Sequence, residues 1–130
     1  MRYLKVKTGI DIIEVSRIKK SIKRFNNKFL NKIYTEKEIQ YCNSKKNKYE
    51  HYAARFAGKE ACFKAISSIL ENKYSINWKD IEIINDETGK PFINLYKQFA
   101  ESFDIDISLS HIKNYACASV VLTIYEKGRK

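Results

Sequence analysis

A carboxylate within an apolar helix face is the first feature of the sequence that could support chemistry. Apolar side chains at helical spacing predict a helix over residues 49–70 and form one stripe: Tyr49, Tyr52, Phe56, Phe63 and Leu70. Glu60 falls on that stripe, where an ionised carboxylate loses several kcal/mol of hydration unless it is paired or bound to a cation. The simpler interpretation is an intrahelical ion pair with Lys64, worth about 0.3–0.5 kcal/mol.

A second carboxylate, Asp11, lies near the N-terminus within a predicted strand. Apolar residues and Thr8 alternate with charged residues and glycine from Leu4 to Ile12, and Asp11 falls on the face opposite to the apolar one. The simpler interpretation is an ordinary acidic residue on the solvated face of an edge strand. Neither Asp11 nor Glu60 alone predicts a functional site.

Cationic and polar groups at other positions would suit a phosphate ligand. Arg55, Lys59 and Lys64 flank Glu60, and Ser110-His111 at a strand end could present a hydroxyl, an imidazole and backbone N–H groups to an anion. Both sets have a simpler interpretation as solvated side chains. The sequence contains no Walker motif, GxGxxG, metal-spaced Cys/His set or nucleophile elbow.

The first half of the chain contains the predicted helices. Residues 14–25 form an amphipathic helix whose outer face is cationic, and Thr35 with Glu38 forms a capping box that starts a helix ending near residues 43–44. A lysine-rich loop over residues 45–48 separates it from the long helix. In the second half we predict strands over 80–84, 92–95, 105–109 and 115–125, a turn over 86–91, and a short helix around 96–102. The fold class is therefore α+β, with a largely antiparallel sheet packed against one long helix and shorter N-terminal helices.

Length and composition define the broad class of protein. The 130 residues carry 25 Lys and Arg against 15 Asp and Glu, a formal charge of +10. We predict one domain over residues 1–126, followed by a loose tail over 127–130. No apolar segment approaches the length of a membrane span and no signal peptide is visible, so no membrane association is expected. Cys42, Cys62 and Cys117 lack CxxC spacing and suit thiols in a reducing, cytoplasmic location.

Taken together, the motifs resemble one family over nearly the whole chain, in the family's order. They are Gly9-Ile-Asp11-Ile with Arg17-Ile18, Thr35-x-x-Glu38, Arg55-Phe-Ala-Gly-Lys-Glu60-Ala-Cys-Phe-Lys64-Ala, Asp80-Ile-Glu-Ile, Gly89-Lys-Pro91, and Ile107-Ser-Leu-Ser-His111 with Tyr115-Ala116. The chain is similar to holo-acyl-carrier-protein synthase, the small 4′-phosphopantetheinyl transferase. Two positions depart from the family pattern: Gly58 replaces a small alanine, and Asn114 replaces an acidic residue.

The resemblance implies an activity and a set of site residues. The reaction is transfer of the phosphopantetheine arm of coenzyme A to a serine of apo-acyl carrier protein, in fatty acid biosynthesis, with release of adenosine 3′,5′-bisphosphate. Asp11 and Glu60 would bind Mg²⁺ and Lys64 would neutralise charge on the transferred group. The expected coenzyme A-binding residues are Arg55, Lys90, Pro91, Ser110 and His111. The general base stays open between a water held by the metal or a carboxylate and Lys64.

The resemblance also implies partners. Arg17, Arg24 and Phe25 on the cationic helix are expected to dock the acidic carrier protein, and a homotrimer is expected to form with active sites between subunits. Strand 115–125, whose sequence is apolar at positions of both faces, would pack against a neighbour. The alternative is a small basic nucleic-acid-binding module, which the charge and nine tyrosines would suit but which lacks a recognisable RNA- or DNA-binding motif.

Overall fold

The computed structural model describes residues 3–72 and 74–126. In this part of the chain the elements are, in order, β1 (Tyr3–Glu14), α1 (Val15–Phe25), α2 (Asn27–Ile33), α3 (Glu36–Asn43), α4 (Lys48–Ile66), two 3₁₀ turns (Ser67–Ile69 and Trp78–Asp80), β2 (Ile81–Asn85), β3 (Pro91–Leu95), β4 (Ser102–His111) and β5 (Tyr115–Tyr125). The predicted tail over 127–130 lies outside the described residues.

A three-stranded antiparallel sheet supports the long helix. The sheet has the order β1-β5-β4, and β2 and β3 form a separate antiparallel hairpin. Every second residue of β5 from Ala116 to Ile124 is buried beneath α4, as expected for a sheet with one covered face. The predicted α+β architecture is confirmed.

Small residues form the centre of the interface between α4 and the sheet. Ala57, Ala61 and Ala65 are fully buried, whereas the predicted aromatic stripe lies at its edge, with Phe56 and Phe63 half-buried against Trp78. The helical spacing of the apolar residues therefore predicted the wrong centre for the buried face of α4. Large side chains cannot occupy it because the sheet backbone approaches the helix too closely.

Gly58 fits this packing in spite of its low helix propensity. A Cβ atom at position 58 would lie 2.5 Å from Cδ1 of Ile83, so the glycine leaves space for a fully buried isoleucine of the hairpin. A glycine in a helix interior costs about 1 kcal/mol relative to alanine. The close contact with Ile83 offsets part of that cost through buried apolar surface.

Several predicted boundaries need correction. No helix forms over residues 96–102; the Tyr96 N–H instead donates to the Asp80 carbonyl, and Phe99 packs edge-on against Phe103. The long helix begins at Lys48 and ends at Ile66 rather than Leu70, where a 3₁₀ turn replaces it. Helix α2 was not predicted, because its seven residues are too few to show a clear periodicity.

The second face of the sheet is open in the isolated chain. Ile10 and Ile12 of β1 are 69% and 68% exposed there, and Val6 is 53% exposed. β5 contributes Val121 but also Ser119 and Thr123, so its open face is mixed rather than apolar. The apolar part of this face therefore belongs mainly to β1. Among the described residues, no helix has the length and apolar character needed to cross a membrane.

Candidate active site

A glycine brings the first strand against the long helix. Gly9 is buried, and a Cβ atom added to it would lie only 1.9 Å from the carbonyl oxygen of Ala61. Any side chain at this position would push β1 away from α4. Because side chains alternate along a strand, Asp11 projects from the same face as Gly9, toward the helix.

Asp11 meets Lys64 at this contact between strand and helix. The Lys64 Nζ lies 3.5 Å from Asp11 Oδ1 and donates a hydrogen bond of 2.8 Å to the Ile10 carbonyl. The Lys64 side chain is 53% exposed and that of Asp11 is 20% exposed. Lys64 thus pairs with the strand, and the alternative intrahelical pair with Glu60 does not form.

Glu60 is the half-buried carboxylate beside this pair. Burial raises the pKa of Glu60, the neighbouring Asp11 charge raises it further, and Lys64 opposes both effects. Within the described residues, Glu60 forms no ion pair closer than 4 Å. Two carboxylates facing the same space, one of them without a counter-ion, are a donor set that suits a divalent cation.

This donor set is small. In the part of the chain that the structure describes, no group of three or more His, Cys, Asp and Glu side chains is placed to hold a metal ion. Asp11 and Glu60 could therefore supply only part of a coordination sphere. That fits Mg²⁺, which keeps several waters and commonly takes further oxygens from a phosphate substrate.

Arg55 is buried, in contrast to the expectation that it binds substrate directly. It is 2% exposed, its Nη2 donates a 2.6 Å hydrogen bond to the Asn85 Oδ1, and its guanidinium lies 4.2 Å from the centre of the Tyr41 ring. Among the described residues, its Nε has no hydrogen-bond partner. In this chain Arg55 therefore links α4 to the hairpin and offers little surface to a ligand.

Asn85 connects Arg55 to the turn that contains Lys90 and Pro91. Its Nδ2 donates to the Gly89 carbonyl at 2.8 Å, and Gly89 adopts a φ of 86°, which glycine allows without strain. Lys90 is exposed, with its Nζ 3.8 Å from the Asp106 carboxylate. The predicted turn is present, and it holds Lys90 accessible to solvent.

Ser110 and His111 lie on opposite faces of β4. Ser110 is exposed on the open face of the sheet, whereas His111 points toward the helix and its Nδ1 lies 2.9 Å from Glu50 Oε1. Glu50 and Glu60 are ten residues apart on α4, or about 15 Å at 1.5 Å per residue. One chain therefore does not bring His111 to the Asp11–Glu60 pair.

The predicted docking helix has the expected faces. In α1, Val15, Ile18 and Ile22 are buried. Arg17 and Arg24 are exposed, and Phe25 is 50% exposed with the Arg24 guanidinium 5.2 Å from its ring centre. The exposed side of α1 is therefore a cationic surface with one exposed aromatic ring.

Sequence reasoning missed the buried ion pair next to the site. Glu38, predicted only as a capping residue, accepts hydrogen bonds from the Thr35 and Ile83 backbone N–H groups and pairs with Lys59 at 2.8 Å. Both side chains are 0% exposed. The available signal was Lys59 itself, a cation at a position that the helix spacing places next to the apolar stripe.

Comparison with known proteins gives consistent matches over most of the chain. Residues 7–121 match the profile of the 4′-phosphopantetheinyl transferase superfamily. The chain is 42% identical over 121 residues to a holo-[acyl-carrier-protein] synthase of Geobacter sp. (strain M21), covering 88% of this chain and 95% of the relative. It is 44% identical over 119 residues to one of Chloroherpeton thalassium, covering 90% and 97%.

Solved structures of similar proteins have the same fold. A holo-(acyl-carrier-protein) synthase from Bacillus anthracis in complex with CoA (3′,5′-ADP) is 36% identical, with a TM-score of 0.75 and coverage of 90% of this chain and 95% of that one. One from Helicobacter pylori in complex with coenzyme A is 34% identical, with a TM-score of 0.76 and coverage of 88% and 98%.

Proposed function

The chain belongs to the 4′-phosphopantetheinyl transferase superfamily, and on that premise we propose that it is a holo-[acyl-carrier-protein] synthase. It transfers the 4′-phosphopantetheine arm of coenzyme A to a serine of apo-acyl carrier protein and releases adenosine 3′,5′-bisphosphate. The observation that carries the proposal is the meeting of Asp11, Glu60 and Lys64 where β1 crosses α4. Two relatives that share this fold at 36% and 34% identity were solved with coenzyme A or its nucleotide portion.

Charge neutralisation is the main chemical task of the site. Phosphoryl transfer depends on positioning and electrostatic stabilisation more than on covalent chemistry. Mg²⁺ held by Asp11 and Glu60 would neutralise the pyrophosphate of coenzyme A. Lys64 is held by its hydrogen bond to the Ile10 carbonyl, and its ammonium would neutralise charge on the transferred phosphoryl group. A water hydrogen-bonded to one of the carboxylates takes the proton of the attacking serine.

The transfer reaction itself tests the proposed function. We expect incubation with apo-acyl carrier protein, coenzyme A and Mg²⁺ to add one phosphopantetheine group to the carrier, as measured by intact mass. Coenzyme A with Mg²⁺ should also raise the melting temperature, since a ligand that binds only the folded state stabilises it. An oligonucleotide should not. Stabilisation by the oligonucleotide without any transfer would favour the nucleic-acid-binding alternative.

A homotrimer is the proposed assembly. The open sheet face exposes Ile10 and Ile12, and β1, which carries Asp11 on its opposite face, is an edge strand of the sheet. A second copy that covers the open face and extends past the β1 edge would reach the carboxylates. Such an arrangement places residues of a neighbouring subunit, including Ser110 and His111, near a shared site. Sedimentation should show a trimer at assay concentrations, and a fully active monomer would contradict the assembly.

The carrier protein is proposed to dock on α1. Arg17 and Arg24 offer exposed positive charge and Phe25 an exposed aromatic ring. An acidic protein surface fits these residues through long-range attraction and one apolar contact. We also propose a single domain over residues 1–126 and a cytoplasmic location, which the free thiols of Cys42, Cys62 and Cys117 favour.

A further inference from the structure

A second cluster of titratable groups lies at the N-terminal end of α4, about 15 Å along the helix from Glu60. It joins Glu50 and His51 in the first turns of the helix to His111 at the end of β4. The His111 Nδ1 is 2.9 Å from Glu50 Oε1, and the rings of His51 and His111 meet edge-on at 4.9 Å and 62°. The His111 and Glu50 side chains are 27% and 21% exposed, so both are partly accessible.

The Glu50 contact determines which nitrogen of His111 carries a proton. The hydrogen bond from His111 lowers the pKa of Glu50, so Glu50 is ionised at neutral pH. An ionised carboxylate can only accept hydrogen bonds, so Nδ1 of His111 is protonated in both the neutral and the charged imidazole. Nε2 is then the only ring nitrogen left for another molecule.

His51 packs against the His111 ring as a neutral side chain. Burial lowers the pKa of His51 to about 4, and the neighbouring His111, Arg55 and Lys45 side chains act in the same direction. His51 is therefore neutral at physiological pH. It packs between His111 and Tyr41, whose ring centre is 5.6 Å away, and restricts how far the His111 ring can rotate.

The surroundings of this cluster favour an anion. A cleft beside it is lined by four lysines, Lys19, Lys46, Lys48 and Lys113, and by Glu50 as its single acidic residue. Because Glu50 is engaged by His111, the cleft retains an excess of positive charge. A phosphate oxygen is the group of coenzyme A that fits this field. It accepts a hydrogen bond from Nε2 of His111 when the imidazole is doubly protonated and Nδ1–H donates to Glu50.

We propose that Glu50 is a positioning residue: by accepting a hydrogen bond from Nδ1–H it fixes the ring orientation of His111, and the doubly protonated imidazole presents Nε2–H to a phosphate group of coenzyme A. The inference rests on the proposed function, because coenzyme A is the ligand. It assigns Glu50 no contact with the substrate. Its favourable effect on binding therefore passes through His111.

The tautomer can be measured in the free protein by ¹⁵N NMR of labelled histidines. We expect a protonated Nδ1 at His111 in the wild type and a mixture of tautomers in Glu50→Ala. Glu50→Gln should keep the wild-type tautomer because its amide oxygen still accepts the bond. His51→Phe, which keeps an edge-on ring, is the matched control and should also keep it. An unprotonated Nδ1 in the neutral wild-type imidazole would overturn the proposal without touching the proposed function.

Coenzyme A titrations then test the consequence. Glu50→Ala should raise the Kd for coenzyme A about tenfold, the change expected on losing one oriented charge-assisted hydrogen bond. Glu50→Gln should stay within about twofold of the wild type, as should the exposed control Glu71→Ala. In a His111→Ala background, Glu50→Ala should cause no further loss.

These measurements distinguish failure of the Glu50 positioning role from failure of the proposed function. Additive losses in the double variant, or an unchanged Kd in Glu50→Ala, would overturn the positioning role while transfer by the wild type leaves the proposed function intact. A wild type that neither binds coenzyme A nor modifies the carrier would overturn both. Dephospho-coenzyme A identifies the phosphate concerned: if it binds Glu50→Ala and wild type equally, the 3′-phosphate is the one that His111 contacts.

Discussion

Lys59 and Glu60 are consecutive residues of one helix, yet their charges have opposite environments. Lys59 is 0% exposed and all of its contacts are internal: Glu38 at 2.8 Å, the Trp78 carbonyl at 3.1 Å and the Ile81 carbonyl. Glu60 is half-buried and, among the described residues, has no ion pair within 4 Å. Burial lowers the pKa of Lys59 and raises that of Glu60, so it destabilises the charged form of each residue.

The difference lies in how each cost is compensated. Around Lys59 the protein supplies a carboxylate and two carbonyls, and this closed arrangement connects α4 to α3 and β2. Around Glu60 the neighbouring Asp11 adds repulsion, and Lys64 pairs with Asp11 instead. A compensated buried charge serves the fold, whereas an uncompensated one at a surface opening is poised for a ligand. The two residues therefore predict opposite responses to mutation.

The largest expected effect is the loss of activity on replacing Glu60 or its neighbour Asp11. Asp11→Ala and Glu60→Ala should each lower the transfer rate by several orders of magnitude, because each removes a ligand of the same Mg²⁺. The double variant should be little worse than either single variant, since the residues serve one ion. Rates of phosphopantetheine transfer across a Mg²⁺ titration measure both effects. Full activity in either variant, or in thoroughly chelated wild type, would contradict the metal site.

The next largest effect is a loss of stability when the buried Lys59 loses its partner Glu38. Glu38→Ala leaves the Lys59 ammonium buried without its carboxylate and should lower the free energy of unfolding by about 3–5 kcal/mol. Glu36→Ala, an exposed change two residues earlier in α3, should cost less than about 1 kcal/mol. Urea denaturation of both variants provides the comparison.

A double variant separates this effect from general damage to α3. Replacing both Glu38 and Lys59 by Met removes the two buried charges together and should recover part of the stability lost in Glu38→Ala. Equal stability of Glu38→Ala and Glu36→Ala would show that the pair contributes nothing. The comparison between Lys59 and Glu60 would then fail on its structural side.

The sequence was sufficient for most of the elements and for selecting Asp11, Glu60 and Lys64 as candidates. Alternation placed Asp11 in a strand and helical spacing placed Glu60 and Lys64 on one helix. It did not show which face of β1 is covered, since Ile10 and Ile12 lie on the open face of the sheet. It was insufficient for contacts between distant segments. The Arg55–Asn85 bond, the Glu50–His111 bond and the Glu38–Lys59 pair join residues 30, 61 and 21 positions apart, and side-chain direction there depends on the packed fold. The aromatic stripe on α4 misled for the same reason, because the close approach at Gly9 decides which helix face is covered.

Fully solvated charges should have a smaller, salt-dependent effect. Arg17→Glu with Arg24→Glu on α1 should raise the KM for apo-acyl carrier protein and reduce its salt sensitivity, because exposed charges act mainly on the rate of encounter. The Kd for coenzyme A should stay nearly unchanged. Steady-state kinetics at low and high salt measure the split, and Lys5→Glu, an exposed change in β1, is the control for net charge. An unchanged carrier KM would direct attention to the loop over residues 45–48.

The smallest effect tests whether Glu60 is held at a cost to the fold. Its pKa is higher in the folded chain than the ordinary value of 4.5, so ionisation favours the unfolded state. In that pH range the folded state binds more protons, and the metal-free protein should lose stability as the pH rises above about 4.5 through the folded pKa. Glu60→Gln removes this term and should raise the melting temperature at neutral pH by roughly 2 °C, the shift given by a few tenths of a kcal/mol in a domain of this size.

Mg²⁺ should make the wild type more stable than Glu60→Gln, the reverse of the order expected without metal. Mg²⁺ should stabilise the wild type, in which both carboxylates are present, and leave Glu60→Gln almost unaffected. At pH 4 the variant should lose its advantage, because the wild-type carboxyl is then largely protonated. Melting curves in chelator and in Mg²⁺ at both pH values test each step. A Glu60→Gln variant less stable than the wild type in chelator would mean that Glu60, like Lys59, is compensated within the fold, and that the two residues do not differ in the way argued from their contacts.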